Sequence, residues 1–141
     1  MAEQIGTINH DINQSGNLKL WKFFAHLSSL AMLILIPYAN IWGPLIVWKN
    51  KQKEYPELES DIKDEINFQI TIDIILTIMF IGIIVLQMFI SDIWGLYVII
   101  PLFILMAIIF FVDVFLVVSK CMSIYQSGEY SPYPFSIPFW K

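Results

Sequence analysis

Apolar residues fill three long stretches of the chain, 23–48, 66–90 and 93–118, and polar residues gather between and outside them. A helix needs about 20 apolar residues to span the hydrocarbon core of a bilayer. Within the third stretch the one charge is Asp113. The pattern predicts an all-α, polytopic integral membrane protein: a helical hairpin or re-entrant pair, then two full transmembrane helices. The membrane domain is expected over 18–125, with segments 18–36, 41–48, 66–90 and 93–118 and an acidic loop at 49–65. Residues 1–17 read as a flexible polar tail, and 126–141 as an aromatic, proline-rich tail whose rings suit the membrane interface.

Two places need closer reading. Residues 65–74 alternate polar and apolar, which taken alone suggests a strand. The length of the run favours a helix, on which Glu65, Gln69, Asp73 and Thr77 fall four apart in one polar stripe. Such a stripe must face protein or water rather than lipid. The second place is the break from Pro37 to Pro44, where Gly43 also stands. Prolines free backbone groups that in lipid must be satisfied by the protein itself. Asn67 and Gln69 are expected to supply those hydrogen bonds. The chain then either crosses with a kink or turns back as a hairpin. A hairpin places Lys19, Lys22, Lys49, Lys51, Lys53, Lys63, Lys120 and Lys141 on one side. The positive-inside bias therefore favours the hairpin, with both termini in the cytoplasm of a bacterial cell.

Composition agrees. Hydrophobic residues make up 57% of the chain, more than a single core this small can hide. The net charge of −4 arises from 12 acids and 8 lysines with no arginine, which argues against a nucleic-acid partner. The lone Cys121 excludes an internal disulfide and a multi-cysteine metal site. A cleaved signal sequence is not expected. The residues before the first apolar run include Glu3 and Asp11, and Tyr38-Ala39-Asn40 after it is a poor cleavage site.

No GxSxG, HExxH, CxxC or glycine-rich phosphate loop occurs. The chain reads as a non-enzyme that needs no cofactor. The chemical oddity is acid at membrane depth. Asp73 and Asp113 are expected about 10 Å inside the same face, with His26 somewhat shallower. Together with Gln69 and Thr77 they form a candidate polar site for a proton or a metal ion. The plainer reading is that each acid is hydrogen-bonded between helices. Pro37, Gly43, Pro44 and Asn67 are read as structural. The acids of 54–65 are read as a solvated helix start, with a cation-attracting loop as the alternative.

Four blocks carry a resemblance: His26-Leu27-Ser28; Pro37 with Asn40-Ile41-Trp42-Gly43-Pro44-Leu45-Ile46-Val47-Trp48; Glu65-Ile66-Asn67-Phe68-Gln69-Ile70-Thr71; and Gly128-Glu129 with Tyr133-Pro134-Phe135-Ser136-Ile137-Pro138-Phe139. In this order they resemble a widespread bacterial family of small membrane proteins of unknown function. That family is distantly related to a membrane subunit of the chloroplast inner-envelope import translocon. It is similar to the MamF-like proteins of magnetosome membranes, which influence magnetite crystal growth. The resemblance runs from about Leu20 to Phe139 and implies a membrane location without a common reaction. Asp73 and Asp113 stand where that family's helices are expected to carry small or apolar residues. The chain is expected to be a membrane scaffold or accessory subunit working through the bilayer, protein partners or self-assembly. A transport component, or an ion- or proton-conducting oligomer, is the alternative.

Overall fold

The computed structural model describes residues 2–31, 38–90, 93–128 and 131–140. They form four helices: α1 (Ala2–Ser29), α2 (Ala39–Lys51), α3 (Leu58–Phe89) and α4 (Ile93–Ser127). Pro37 and the expected turn at 91–92 lie outside the described residues. Helices α3 and α4 hold segments long and apolar enough to cross a membrane.

Three boundaries differ from the sequence reading. Residues 2–17, expected as a flexible tail, continue α1 as helix. Ile5, Ile8 and Ile12 fall at helical spacing, no proline interrupts, and an existing helix propagates at little cost. The acidic loop shrinks to 52–57, because α3 already starts at Leu58. Glu59 and Asp61 lie in its first turn, where acids oppose the positive end of the helix dipole. Helix α2 begins at Ala39, with Pro44 inside it and buried. Its entry is a tight turn in which Tyr38 takes the left-handed conformation, φ 59°.

The helix directions follow from pairs of contacts. Ser28 of α1 lies against Gly43 of α2, and Trp21 lies beneath the Lys51 ammonium, 4.5 Å from its ring centroid. The two helices are therefore antiparallel, and α2 returns to the end from which α1 came. Lys22 pairs with Asp61 and His26 with Glu65. The same four-residue step on both sides makes α1 and α3 parallel. Phe23 meets Tyr125 at 6.1 Å, and Lys19 points at the Gln126 carbonyl, so α4 comes back to that end as well. Asn40, near the start of α2, reaches Gln69 and Asp73 of α3. From Asp73, α3 runs about 24 Å further. The first pair is thus a short hairpin packed against one end of a longer one.

Burial follows this geometry. Ala25, Tyr55, Leu58, Ile62 and Ile66 form one buried cluster, and Phe68, Ile72, Val117, Cys121 and Tyr133 another. Both lie at the end where all four helices meet. Beyond Asp73 the long hairpin presents Ile78, Met88 and Phe89 outward, each at least 65% exposed, and Phe111 and Phe115 on either side of Asp113 are as exposed. A continuous apolar surface of this kind requires an apolar solvent or a partner.

Candidate functional site

At the junction of the short and long hairpins sits a polar cluster whose centre is sealed from solvent, with Asp73 half-buried at its edge. His26 and Glu65 are 0% exposed, Asn40 and Gln69 1%, and Asp113 2%. Each helix contributes. The Nδ1 of His26 (α1) pairs with Glu65 Oε2 (α3). Gln69 Nε2 donates to Glu65 Oε1 at 3.2 Å and to Asp113 Oδ1 of α4 at 3.3 Å. Asn40 Nδ2 of α2 donates to Gln69 Oε1 at 2.9 Å and to both oxygens of Asp73 at 3.1 Å. Two side-chain amides therefore join three carboxylates and an imidazole into one network. A buried network of this type fixes register, because any slip leaves a desolvated polar group unmatched.

The end of α1 is closed in the same economical way. Ser28 and Ser29 hydroxyls donate to the carbonyls of Ala25 and His26, each at 2.6 Å. Near a helix terminus such carbonyls lack partners from the next turn. One layer nearer the aqueous end, Lys22 Nζ lies 2.7 Å from the buried Asp61 Oδ2.

The C-terminal strap, 131–140, lies on this assembly and completes it. Asp64 Oδ2 accepts the Tyr133 N–H at 2.8 Å, and Thr71 Oγ1 accepts the Ile137 N–H at 3.1 Å. Asn67 accepts the Trp140 N–H at 2.8 Å and donates to the Trp140 carbonyl at 3.0 Å. Lys120 Nζ donates to Ser131 Oγ at 2.7 Å and to the Pro132 carbonyl at 3.0 Å. Pro132, Pro134 and Pro138 carry no N–H, so the strap has fewer donors to satisfy away from water. Tyr133 stacks on Phe68 at 4.2 Å and 10°, and its hydroxyl stands 3.3 Å from His26 Nδ1. Trp140 packs edge-on against Trp48 at 5.0 Å.

Of the sequence-selected residues, His26, Gln69, Asp73 and Asp113 meet in this cluster. Thr77 does not: it lies exposed on α3, one turn beyond Asp73. Asp73 and Asp113 face one network, linked through Asn40 and Gln69, and His26 bonds Glu65 instead of standing between them. Asn67 does not serve the chain around Pro44, as expected, but holds the strap. Gln69 likewise bonds side chains, not freed backbone. Gly43 has a packing role, since a Cβ there would fall 2.5 Å from the Ser28 carbonyl oxygen. Glu65, Asn40 and Tyr133 were not singled out as site residues. A signal for Glu65 was present: Lys22 and His26 are four apart on α1, and Asp61 and Glu65 are four apart on α3.

The acids nearer the aqueous end are mostly spoken for. Glu54 bonds Lys51, Glu59 pairs with Lys63, Asp61 with Lys22, and Asp64 with the strap. The Lys51 hydrogen bond holds the exposed Glu54 carboxyl below its ordinary range. This arrangement fits a solvated helix start better than a cation-attracting loop. Among the described residues, no group of three or more His, Cys, Asp or Glu side chains is placed to hold a metal ion.

A family model described as the magnetosome magnetite crystal formation protein family matches residues 17–140. That range takes in the whole cluster and the strap. Nothing among the curated proteins or the solved structures matches the chain.

Proposed function

The chain belongs to the magnetosome magnetite crystal formation protein family, and on that premise we propose that it is a non-enzymatic membrane accessory protein acting through partners or self-assembly. One observation carries this reading. The polar side chains on the long hairpin are drawn into one network against the short hairpin, while the rest of the long hairpin's outward surface is mostly apolar. Such a molecule recognises lipid and protein, and its polar groups serve to hold its own shape. The family's description adds crystal formation. With Glu54, Glu59, Asp61 and Asp64 already engaged, an influence on a mineral would be exercised through assembled copies or partners more than through a free acidic patch.

Size measurement in mild detergent tests the reading. An assembly larger than one chain, or a protein that co-purifies in fixed proportion, is the expected result. A strict monomer without a co-purifying protein would sink it.

We also propose that both termini and residues 52–57 face the cytoplasm of a bacterial membrane. The ends of the helices that carry the lysines lie together, as the positive-inside bias favours. Single cysteines at 5, 53 and 136, in a Cys121→Ser background, should react with impermeant reagent only after cells are opened. Labelling of residue 5 in intact cells would overturn the arrangement.

A transport component, suggested by the resemblance to a chloroplast import subunit, or an ion-conducting oligomer is the second reading. The buried carboxylates favour it. Against conduction through one chain, the polar path stops at Asp73, and the next two turns of α3 expose Ile74, Ile75, Ile78, Phe80 and Ile81.

A further inference from the structure

The heart of the polar cluster is buried, and its charges do not balance. Glu65, Asp73 and Asp113 stand against one imidazole, His26. Among the described residues, the charged groups of the neighbouring elements are engaged elsewhere. On α1, Lys22 is committed to Asp61. Helix α2 contributes the neutral Asn40. On α3, Asp64 holds the strap. On α4, Lys120 serves the strap carbonyls, and Cys121 is buried among apolar neighbours. The strap itself offers Tyr133. Both Nε2 hydrogens of Gln69 are used on Glu65 and Asp113, and those of Asn40 on Gln69 and Asp73. Asp73 is half-buried at the edge, but even with an imidazolium the two sealed carboxylates of Glu65 and Asp113 leave a net charge of about −1 out of water, which membrane interiors do not tolerate unpaired. The side chains are not placed as a metal shell. Protons are the remaining neutralising ligand of suitable size.

We propose that this cluster is a proton-binding site, and that the C-terminal strap controls its exchange with the aqueous end. The ligand is the hydrogen ion, taken up on the Asp113 carboxylate, which Gln69 joins to Glu65. Tyr133 is the stopper. It is 5% exposed, stacked on Phe68, and lies between the cluster and the end where Asp64 and Lys120 hold the strap. Displacing the strap, by a partner or by loss of its grip on Asp64 and Asn67, would open the cluster from that side. Because the polar path ends at Asp73, the site stores or senses protons and does not pass them across. This inference does not depend on the accessory role, whose test is the size of the assembly.

Infrared spectroscopy of the full chain in lipid nanodiscs provides the test. At neutral pH surface carboxylates are ionised, so a protonated-carboxyl C=O band reports buried acid. The wild-type protein is expected to show this band, and Asp113→Asn or Glu65→Gln to reduce it by about half or more. On transfer to heavy water the band shifts as its proton exchanges. Tyr133→Ala is expected to speed that shift by roughly tenfold, as removal of a packed cover raises local opening. Absence of the band from the wild-type protein overturns the proposal without any variant. So does a band that both acid substitutions leave unchanged. Exchange equally slow in Tyr133→Ala overturns the role of the strap.

Discussion

Glu65→Ala is expected to lose about 3–5 kcal/mol of stability, the range seen when one partner of a buried ion pair is removed. The reason lies in what remains behind. His26 is 0% exposed and would face the space left by its partner, and Gln69 would lose one of its acceptors. Water cannot easily repair the loss, because Tyr133 and Phe68 close the site from the aqueous end. Reversible unfolding in mixed detergent micelles, followed by helical circular dichroism, measures the change. Glu65→Gln keeps an acceptor for Gln69 and the volume of the side chain, so it should cost markedly less. A loss below about 1 kcal/mol for Glu65→Ala, the level of a surface pair, would show that the network does not hold the hairpins together.

The second large effect is expected at Gly43. A Cβ on this residue would lie 2.5 Å from the Ser28 carbonyl oxygen and 2.9 Å from its carbonyl carbon. These are backbone atoms and cannot rotate away. Gly43→Ala must therefore push α1 and α2 apart, with an overpacking cost of about 1–3 kcal/mol. The push also draws Asn40 away from Gln69 and Asp73, so the total should exceed a simple clash. Gly82→Ala is the control. A Cβ at Gly82 meets nothing within 4 Å, and alanine favours a helix interior by roughly 0.5–1 kcal/mol over glycine. The same unfolding measurement should therefore rank Gly82→Ala at or above the wild-type protein and Gly43→Ala well below it. Equal stability of the two variants would mean that the close approach of α1 to α2 is not required.

These expectations separate two kinds of information. The length of the apolar runs determined the long helices α3 and α4, each with a segment long and apolar enough to cross a membrane, since lipid admits a single chain segment mainly as a helix of about 20 residues. The four-residue stripe through Glu65, Gln69 and Asp73 determined that one face of α3 had to be covered, since such groups are not left in hydrocarbon. The lysine distribution pointed to a returning hairpin, and α2 does run back beside α1. Which stripe members would be covered was decided by tertiary structure. Asn40 at the start of α2 reaches Asp73, which so gains a partner, while Thr77, one turn further along α3, is exposed.

The pairing of His26 with Glu65 needed a parallel α1 and α3, a relation that depends on the path of the chain. The N-terminal stretch was misread because its polar composition outweighed a faint helical spacing of isoleucines. Asn67 was assigned to the wrong backbone for a related reason. A side-chain amide can satisfy any nearby N–H and C=O, and the sequence does not say which segment will be nearby. The strap was visible as prolines among aromatics, and its lack of helix followed from the missing N–H groups. Its docking on Asp64, Asn67 and Thr71 joins residues more than sixty positions apart. Contacts at that separation follow from the packing of all four helices, which is information that a local pattern does not contain.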